Sequence, residues 1–536
     1  MDVTGANHVS IFESLRRSIQ RLVARLERVS DGQLFACSIL WVVIAGLALQ
    51  LVVLPYITPF AHAGHGLIAN LDSPGFHLMA IEMAETVRTV GFEDWGHWQG
   101  YDYNYPVAIT SLFYLIYPEP WIQLPFNGVL FGVILVSVRN IVAILADSRG
   151  IALASLLPFF IFPSFVLIWG QPHRDLITGT GFSLVLYALA LATYSTRKAA
   201  WLPALVMLAG VGMGLIWLSR PYALSLVAAA TVAFATFAVF GRQSRRGRLL
   251  AVTAVVLVAA VVNIKGWTTE VRARVDLSSA ATVPGVARTA PAEPVRTAPA
   301  EPVRTAPGEP VRTAPAEPEG QAADASAATA ARESATASVS DDSPSGWSWW
   351  PRSRRVVSST AVSRAANCFP PPSRTADTLL YNLCHVREGM ISAAQLAGAS
   401  SGYDYDIRLR SAEDFVAYTP RALAFGLLEP GPRRWGTERT TLGRLATFFV
   451  PFEMITAYAA FLLALLFGRR RLARLHVWAV GAFCITYISI YAFAMPQLGG
   501  LYRMRVFAFA VVISTALAVA LPRALAPGER GSDSLH

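Results

Sequence analysis

Charged residues are scarce in this chain: Asp, Glu, Lys and Arg make up only 15% of its 536 residues, whereas 54% are hydrophobic. A soluble protein of this length usually carries about 25% charged residues. This shortage excludes an ordinary soluble domain. Because the charges that exist are bunched between long uncharged stretches, the pattern predicts bilayer spans joined by polar loops.

Several catalytic and metal-binding motifs are also missing. The sequence has no Cys/His cluster at zinc-binding spacing, no Gly-rich phosphate loop and no Gly-x-Ser-x-Gly elbow. These absences argue against a zinc module, a P-loop NTPase and an α/β-hydrolase, and no cofactor is expected. The first residues do not have the form of a secretory signal. Cysteine is rare too, with two residues in apolar runs and two in a large polar loop: Cys37, Cys484, Cys368 and Cys384.

Ten apolar stretches are each long enough to cross a hydrocarbon core of roughly 30 Å. They are 34–56, 122–145, 150–169, 177–195, 200–218, 222–240, 248–265, 443–467, 476–495 and 506–522. Residues 105–118 are apolar but shorter, so we expect an interfacial or re-entrant helix there, with an eleventh span as the alternative. The predicted fold class is an all-α polytopic membrane protein with ten spans, amphipathic interfacial helices and a large, partly disordered extracytoplasmic loop.

The distribution of basic residues predicts the orientation of these spans. Arginine and lysine concentrate in alternate loops, including 241–248 and 468–474, which the positive-inside rule places in the cytoplasm together with the N-terminus. The protein is therefore expected in the inner or plasma membrane. The net charge of +10 is explained by topology and contact with anionic membrane lipids, so no nucleic-acid partner is expected.

This topology divides the chain into five parts. They are a cytoplasmic basic amphipathic helix within 1–33, an N-terminal membrane domain at 34–265 with the first outside loop at 57–121, an extracytoplasmic loop at 266–442, the last three spans at 443–522, and a cytoplasmic tail at 523–536. The first part suits a helix lying on a cytoplasmic leaflet, although a solvated lead-in to the first span is equally compatible with its sequence.

The large loop 266–442 has an unusual composition. Residues 288–318 repeat an eight-residue Arg-Thr-Ala-Pro-Ala-Glu-Pro-Val unit nearly four times, and proline at that frequency predicts an extended spacer. Order should resume near 365, where Cys368 and Cys384 could form a disulfide on the non-cytoplasmic side or remain two free thiols. Asp404 and Asp406 are weak candidates for a metal site. Residues 412–428 predict a surface helix broken at Pro420.

The first outside loop is the most polar membrane-proximal segment, and it contains Asp72 and His77. Residues 73–90 have the spacing of an amphipathic helix, whose start at Asp72-Ser73-Pro74 is typical of an N-cap followed by an early proline. A capping role and a chemical role for this carboxylate remain compatible alternatives.

Arginines in outside loops form a second set of candidates, because the positive-inside rule disfavours them there. Cations at membrane depth are costly and are usually paired or functional. The planar guanidinium suits phosphate groups, so the set predicts a shared lipid-phosphate site. The alternative is that each arginine pairs with a local carboxylate or reaches lipid phosphates separately. The set comprises Arg174 with its neighbour Asp175, Arg220, Arg503 and Arg505.

This layout resembles the GT-C superfamily of membrane glycosyltransferases. The resemblance lies in one span, a polar outside loop with an early Asp, an apolar element opening on Tyr105-Pro106, many spans and a late arginine-bearing loop. It covers mainly residues 34–270. It implies that Asp72 is the catalytic base, that His77 and the outside arginines with Asp175 bind substrate, and that the donor is a polyprenyl-phosphate sugar. Many family members have Asp-Glu where this chain has Asp72-Ser73.

The expected function is therefore sugar transfer to a glycan, lipid or protein acceptor on the extracytoplasmic face. One alternative is a polysaccharide repeat-unit polymerase or ligase acting on lipid-pyrophosphate glycans, which the large late loop favours. Another is a flippase or transporter of lipid-linked sugars, although the two halves of the chain show no internal repeat.

Overall fold

Helices form almost all the regular structure in the computed structural model of this protein. The structure describes residues 4–69, 72–93, 95, 105–194, 202–241, 375–396, 402–432 and 441–525, of which 83% are helical, with no strands. These residues all belong to one compact unit. The predicted span 248–265, the octad repeat, Cys368 and the last eleven residues lie outside the described ranges.

Eleven helices precede the large loop in the described part of the chain. They are α1 (Thr4–Leu26), α2 (Asp31–Ala48, continued by a π-helical segment Leu49–Ile57), α3 (Ser73–Thr89), α4 (Tyr105–Tyr114), α5 (Leu124–Ala146), α6 (Arg149–Ser155), α7 (Leu157–Ile161), α8 (Pro163–Trp169), α9 (Arg174–Tyr194), α10 (Leu202–Ser219) and α11 (Ala223–Gly241). Short 3-10 turns occupy Pro59–Ala61 and Pro120–Gln123.

Six described helices follow. They are α12 (Thr375–Leu396), α13 (Ala412–Leu428), α14 (Thr441–Phe467), α15 (Arg469–Leu472), α16 (Leu475–Ala494) and α17 (Leu498–Leu525). Helix α13 continues through Pro420, so the predicted break does not occur, and its buried face includes Phe415, Tyr418 and Phe425. A proline inside a helix removes one backbone hydrogen bond without necessarily ending the helix.

Seven described segments are long and apolar enough to cross a membrane. They are Asp31–Ile57, Pro120–Ala146, Arg174–Tyr194, Leu202–Ser219, Phe449–Phe467, Leu475–Ala494 and Leu498–Leu521. Each corresponds to a predicted span. Helix α11 is shorter in its apolar part, Ala223–Val239. Helix α4 has ten residues, which is too short to cross a bilayer.

The predicted span 150–169 is not a straight helix. It is divided into α6, α7 and α8, and the chain bends by 71° between Ile161 and Pro163. Phe162 is extended, with ψ 118°, because a residue before proline is disfavoured in helical conformation. The backbone N–H of Ser164 at the start of α8 donates to the buried Glu453 carboxylate at 2.8 Å. The break is therefore stabilised by a carboxylate at a helix N-terminus.

Small residues on α9 let two other helices approach closely. A Cβ added at Gly179 would lie 2.6 Å from the Phe507 ring on α17, and one at Gly212 of α10 would lie 2.8 Å from the Gly181 carbonyl oxygen. Glycine is typical of such close helix crossings in membranes. The consequence is that the first turn of α9, the end of α10 and the start of α17 meet at one end of the helices.

The opposite end of the helices carries basic residues and the N-terminal segment. Arg471 Nη1 donates to the Ala146 carbonyl oxygen at the end of α5 (3.2 Å), and Arg474 pairs with Asp147 at 3.2 Å. The fully buried Arg139 pairs with Asp31 at 2.6 Å. We call this the Arg471 end, and the end that carries Asp72 the Asp72 end.

Candidate functional site

The Asp72 carboxylate does not cap the helix that follows it. Asp72 occupies the N-cap position of α3, but its side chain makes no capping hydrogen bond. Instead, its Oδ2 accepts a hydrogen bond from Arg503 Nη2 at 2.9 Å, across 431 positions of sequence. The side chain is therefore directed toward another helix rather than toward its own backbone.

The Arg503 guanidinium contacts three groups at once. Besides Asp72, its Nη1 lies 3.1 Å from His173 Nε2, and its Nε lies 3.2 Å from Asp175 Oδ2. The Nε contact is within ion-pair range but lacks the angle of a hydrogen bond. A planar guanidinium, with nitrogens pointing in three directions, suits this arrangement of partners.

Asp175 and Arg220 form the most deeply buried ion pair of this group. They are 3% and 1% exposed, respectively, and Arg220 Nη2 donates to Asp175 Oδ1. Asp175 lies in the first turn of α9, and Arg220 directly follows the end of α10. Both positions are favourable, since a helix N-terminus attracts an anion and a helix C-terminus attracts a cation. Arg220 also donates to the Tyr222 hydroxyl at 2.6 Å.

Arg174 supplies a third guanidinium to the same region. Its Cζ lies 5.7 Å from the centre of the Phe76 ring on α3, a cation–π contact. Its Nε is buried and makes no hydrogen bond within the described part of the chain. We call Asp72, His173, Arg174, Asp175, Arg220 and Arg503 the Asp72–Arg503 cluster.

The electrostatic surroundings keep Asp72 ionised. Burial alone would raise the pKa of this carboxyl, but the positive charge of Arg503 opposes burial, with a smaller contribution from Arg174. The net result is a pKa below the ordinary value for aspartate. Asp72 is therefore a carboxylate at neutral pH in this arrangement.

One amide side chain joins the two loops that carry the cluster. Gln171 Oε1 accepts from the backbone N–H of Ile68 at 3.1 Å, and Gln171 Nε2 donates to the Gly66 carbonyl oxygen at 3.0 Å. Asn127 on α5 donates in turn to the Trp169 carbonyl oxygen at 2.8 Å. Because these hydrogen bonds are buried, they fix the loop before Asp72 against the loop before His173.

The interior of the cluster is closed in this conformation. A cavity of about 10 Å³ lies beside it, which is room for about one water molecule. Its polar lining comes from Asp175, Arg220 and Arg503, together with Tyr487 and Tyr491 of α16. A larger ligand therefore has to replace one of the present side-chain partners.

His77 belongs to a different set of contacts. Its Nδ1 lies 2.8 Å from the Tyr114 hydroxyl on α4, and its ring lies 4.9 Å from the ring of His65. His65 in turn pairs with Glu119 at 3.1 Å. Burial, assisted by His65, lowers the pKa of His77 to about 4. These contacts join α3 to α4, so they hold Asp72 only indirectly.

Arg505 is also placed away from the cluster. Its guanidinium donates to the carbonyl oxygens of Phe425, Gly426 and Glu429 at the end of α13. The predicted set of outside arginines is thus divided in the structure, because Arg505 serves as a cap for a helix C-terminus. Arg387, which donates to the Phe493 carbonyl oxygen at 3.0 Å, has a similar function at the end of α16.

Asp404 faces a guanidinium. Arg421 donates to both of its carboxylate oxygens, and the Tyr418 hydroxyl donates to Oδ2 at 2.9 Å. Asp406 is exposed. Within the described ranges, no group of three or more His, Cys, Asp or Glu residues is arranged to hold a metal ion. Cys384 is disulfide-bonded, whereas Cys37 and Cys484 are free thiols; Cys368 is not among the described residues.

Sequence reasoning overlooked His173. The residue directly precedes Arg174, is 5% exposed, and contacts both Asp175 and Arg503. The signal available in the sequence was the spacing His173-Arg174-Asp175 at a predicted helix start. A histidine and a carboxylate two positions apart can meet where a loop enters a helix.

Comparisons with protein-family models, curated proteins and solved structures found no match to this chain.

Proposed function

We propose that this protein is a membrane glycosyltransferase that moves a sugar from a polyprenyl-phosphate donor to a glycan, lipid or protein acceptor. The support is the convergence of four separate segments, which bring Asp72, Arg174, Arg220 and Arg503 together at one end of the apolar helices. Charged side chains at membrane depth are expensive and mark functional sites by default.

The charge of the cluster favours an anionic ligand. Three arginines and two aspartates leave one net positive charge when His173 is neutral, and Arg174 retains a buried Nε without a hydrogen-bond partner among the described residues. A lipid phosphate lying between Arg174 and Arg503 would receive donors from both guanidinium groups. Because the cluster is closely packed, this phosphate would have to replace Asp72 as a partner of Arg503.

The proposed reaction is a displacement at the anomeric carbon. The Asp72 carboxylate, released from Arg503, accepts a hydrogen bond from the acceptor hydroxyl and takes its proton as the new glycosidic bond forms. The bond between the anomeric carbon and the donor phosphate oxygen breaks, with inversion at that carbon. Arg174 and Arg503 stabilise the charge that develops on the leaving polyprenyl phosphate.

The proposed topology has ten spans with a cytoplasmic N-terminus. It adds the bent α6–α8 segment, helix α11 and residues 248–265, which lie outside the described ranges, to the seven candidate spans. The Arg471 end would face the cytoplasm of an inner or plasma membrane, in keeping with the positive-inside rule. The Asp72 end would then face the extracytoplasmic side and collect the lipid-borne donor from the outer leaflet.

The test is sugar transfer in proteoliposomes supplied with a radiolabelled polyprenyl-phosphate sugar and an extract of envelope glycans as acceptor. We expect the Asp72→Asn variant to lose transfer by about 100-fold or more, because an amide cannot take up the proton. Glu85→Gln is the matched control, since Glu85 lies on the same helix and, among the described residues, its side chain pairs only with Arg88 at the surface. Equal activity of the two variants would contradict the proposed role of Asp72 as the base.

A repeat-unit polymerase or ligase is a second candidate, favoured by one observation. The part of the large loop that forms α12 and α13 is fixed at the Asp72 end by the buried arginines Arg387 and Arg505. Offering a lipid-pyrophosphate glycan as donor in the same assay distinguishes the polymerase from the glycosyltransferase. Chain extension with this donor alone would favour the polymerase, and movement of lipid-linked sugar without bond formation would favour a transporter.

A further inference from the structure

Helix α1 is held against the start of α6 by one carboxylate. The side chain of Glu27, in the turn after α1, accepts hydrogen bonds from Ser148 Oγ at 2.9 Å and from the backbone N–H groups of Arg149, at 3.1 Å, and Gly150. Gly150 permits this approach, because a Cβ there would collide with the Val23 carbonyl oxygen of α1. One face of α1 is therefore fixed against α6, which leaves the opposite face exposed.

The exposed face of α1 carries a row of arginines. Arg17, Arg21 and Arg25 recur every four positions, so they follow one side of the helix over about 12 Å. All three are exposed, whereas Ile19 and Val23 on the other side of the helix are partly buried. We call Arg17, Arg21 and Arg25 the α1 arginine stripe.

Within the described part of the chain, no carboxylate lies within ion-pair range of the α1 arginine stripe. Glu13 is the only acidic residue of α1, and it pairs with Arg16 at 3.5 Å, while Glu27 is occupied by α6. Like charges four positions apart destabilise a helix, and a solvated surface helix normally alternates charges of both signs. The stripe is therefore suited to anions that come from outside the helix.

The position of the stripe favours a bilayer as the source of these anions. The candidate span Asp31–Ile57 begins five positions after α1 ends, and its 27 residues make a helix of about 40 Å. Since the hydrocarbon core is only about 30 Å thick, a centred span places its first turn at the lipid headgroups. Leu22, next to Arg21, is 52% exposed. Cations beside an exposed apolar side chain at this depth suit a membrane surface better than a soluble acidic partner.

We propose that the α1 arginine stripe is a binding surface for the phosphate headgroups of anionic phospholipids. Its three guanidinium groups donate to headgroup phosphates, and Leu22 enters the adjoining acyl region. Because Glu27 fixes α1 on α6, lipid bound to the stripe ties both helices to the membrane surface. This surface lies at the Arg471 end, so it is separate from the polyprenyl-phosphate site proposed at the Asp72 end, and it does not depend on sugar transfer.

The test measures which lipid contacts α1 in the full-length protein. A bimane fluorophore is attached through Ser14→Cys, on the exposed side of α1, with Cys37→Ser removing the exposed native thiol. The protein is placed in phosphatidylcholine nanodiscs that contain either nitroxide-labelled phosphatidylglycerol or phosphatidylcholine with the same label. We expect half-quenching at an about fivefold lower mole fraction of the phosphatidylglycerol probe, an effect that one surface arginine can supply.

Matched variants separate the effect of charge from that of helix formation. Arg17→Gln/Arg21→Gln/Arg25→Gln should abolish the preference for phosphatidylglycerol, whereas Arg17→Lys/Arg21→Lys/Arg25→Lys should keep most of it. Arg410→Gln, which removes an exposed arginine just before α13, should behave like the unsubstituted chain. Equal quenching by the two probes, quenching by neither, or a preference that survives the triple Gln variant would overturn the lipid-binding surface. Each of these outcomes would leave the proposed sugar transfer untouched.

Discussion

The residues of the Asp72–Arg503 cluster are held by different numbers of partners. Asp175 is the shared centre, because Arg220, His173 and Arg503 all lie within ion-pair range of its carboxylate. Within the described residues, the Asp72 carboxylate has one hydrogen-bond partner, Arg503, and its side chain is 12% exposed. The cluster thus combines a rigid buried pair with a carboxylate that can exchange its partner.

This difference predicts unequal stability losses for two matched variants. Asp175→Asn leaves Arg220 buried without its counter-ion, and we expect unfolding free energy to fall by about 3 kcal/mol. Asp72→Asn should cost clearly less, because Arg503 keeps Asp175 and His173 as partners. Denaturant unfolding of both variants in detergent tests this. A loss for Asp72→Asn as large as that for Asp175→Asn would contradict the division into a rigid pair and an exchangeable carboxylate.

His77 predicts a pH dependence of stability. The folded protein protonates this ring near a pKa of about 4, whereas the unfolded chain does so near 6.5. Between those values the unfolded state binds more protons, so stability falls as the pH drops from about 6.5 to 4 and is unaffected by this group at higher pH. Thermal unfolding between pH 7.5 and 5 should show a smaller loss for His77→Gln than for the wild type. Identical losses would contradict the buried, neutral state of His77.

At the scale of the element, helix direction decides which arginines meet. Arg503 and Arg505 are two positions apart on α17, and side chains at that spacing point to different faces of a helix. Applied to the sequence, this rule predicts that Arg503 and Arg505 point in different directions, and in the structure they have different partners. Arg174 and Arg220 could be grouped with Arg503 because each marks the end or start of a predicted span at the same side.

Other features of the helices could not be predicted from the sequence. The bend at Pro163 was visible as a proline, but its angle depends on Glu453 reaching the freed Ser164 N–H from a distant helix. The Asp72 carboxylate accepts from Arg503 and does not cap its own helix, because the start of α17 lies beside the start of α3. Sequence patterns give the existence of these helices, whereas their separation follows from contacts between residues hundreds of positions apart.

Gly179 tests the close approach of α9 and α17. A Cβ at this position would lie 2.6 Å from the rigidly buried Phe507 ring, so Gly179→Ala should lower the unfolding free energy by about 1–3 kcal/mol. Gly210→Ala on α10 is the control, since no atom of the described residues lies within 4 Å of its added Cβ. Thermal unfolding would be measured for both variants, and we expect Gly210→Ala to be neutral or slightly stabilising. A neutral Gly179→Ala variant would mean that the helices are further apart.

At the scale of the whole molecule, charge is sorted between the two ends of the helices. The Arg471 end uses arginines to close helix termini and to hold the N-terminal segment, as Arg139 does with Asp31. The Asp72 end gathers arginines and carboxylates from loops that are far apart in sequence. The polar cluster therefore depends on the complete bundle, and no single segment contains it.

The most direct test of the central claim is the affinity of the protein for a polyprenyl phosphate. Dissociation constants in lipid nanodiscs would be compared for the wild type, Arg503→Gln, Arg174→Gln and the control Arg470→Gln, whose side chain is exposed at the Arg471 end. We predict that the first two variants bind at least about tenfold more weakly, since each loses a charge-assisted contact worth roughly 1.5–3 kcal/mol. Unchanged affinity of Arg503→Gln and Arg174→Gln, or an equal loss in Arg470→Gln, would contradict a lipid-phosphate site at the Asp72–Arg503 cluster.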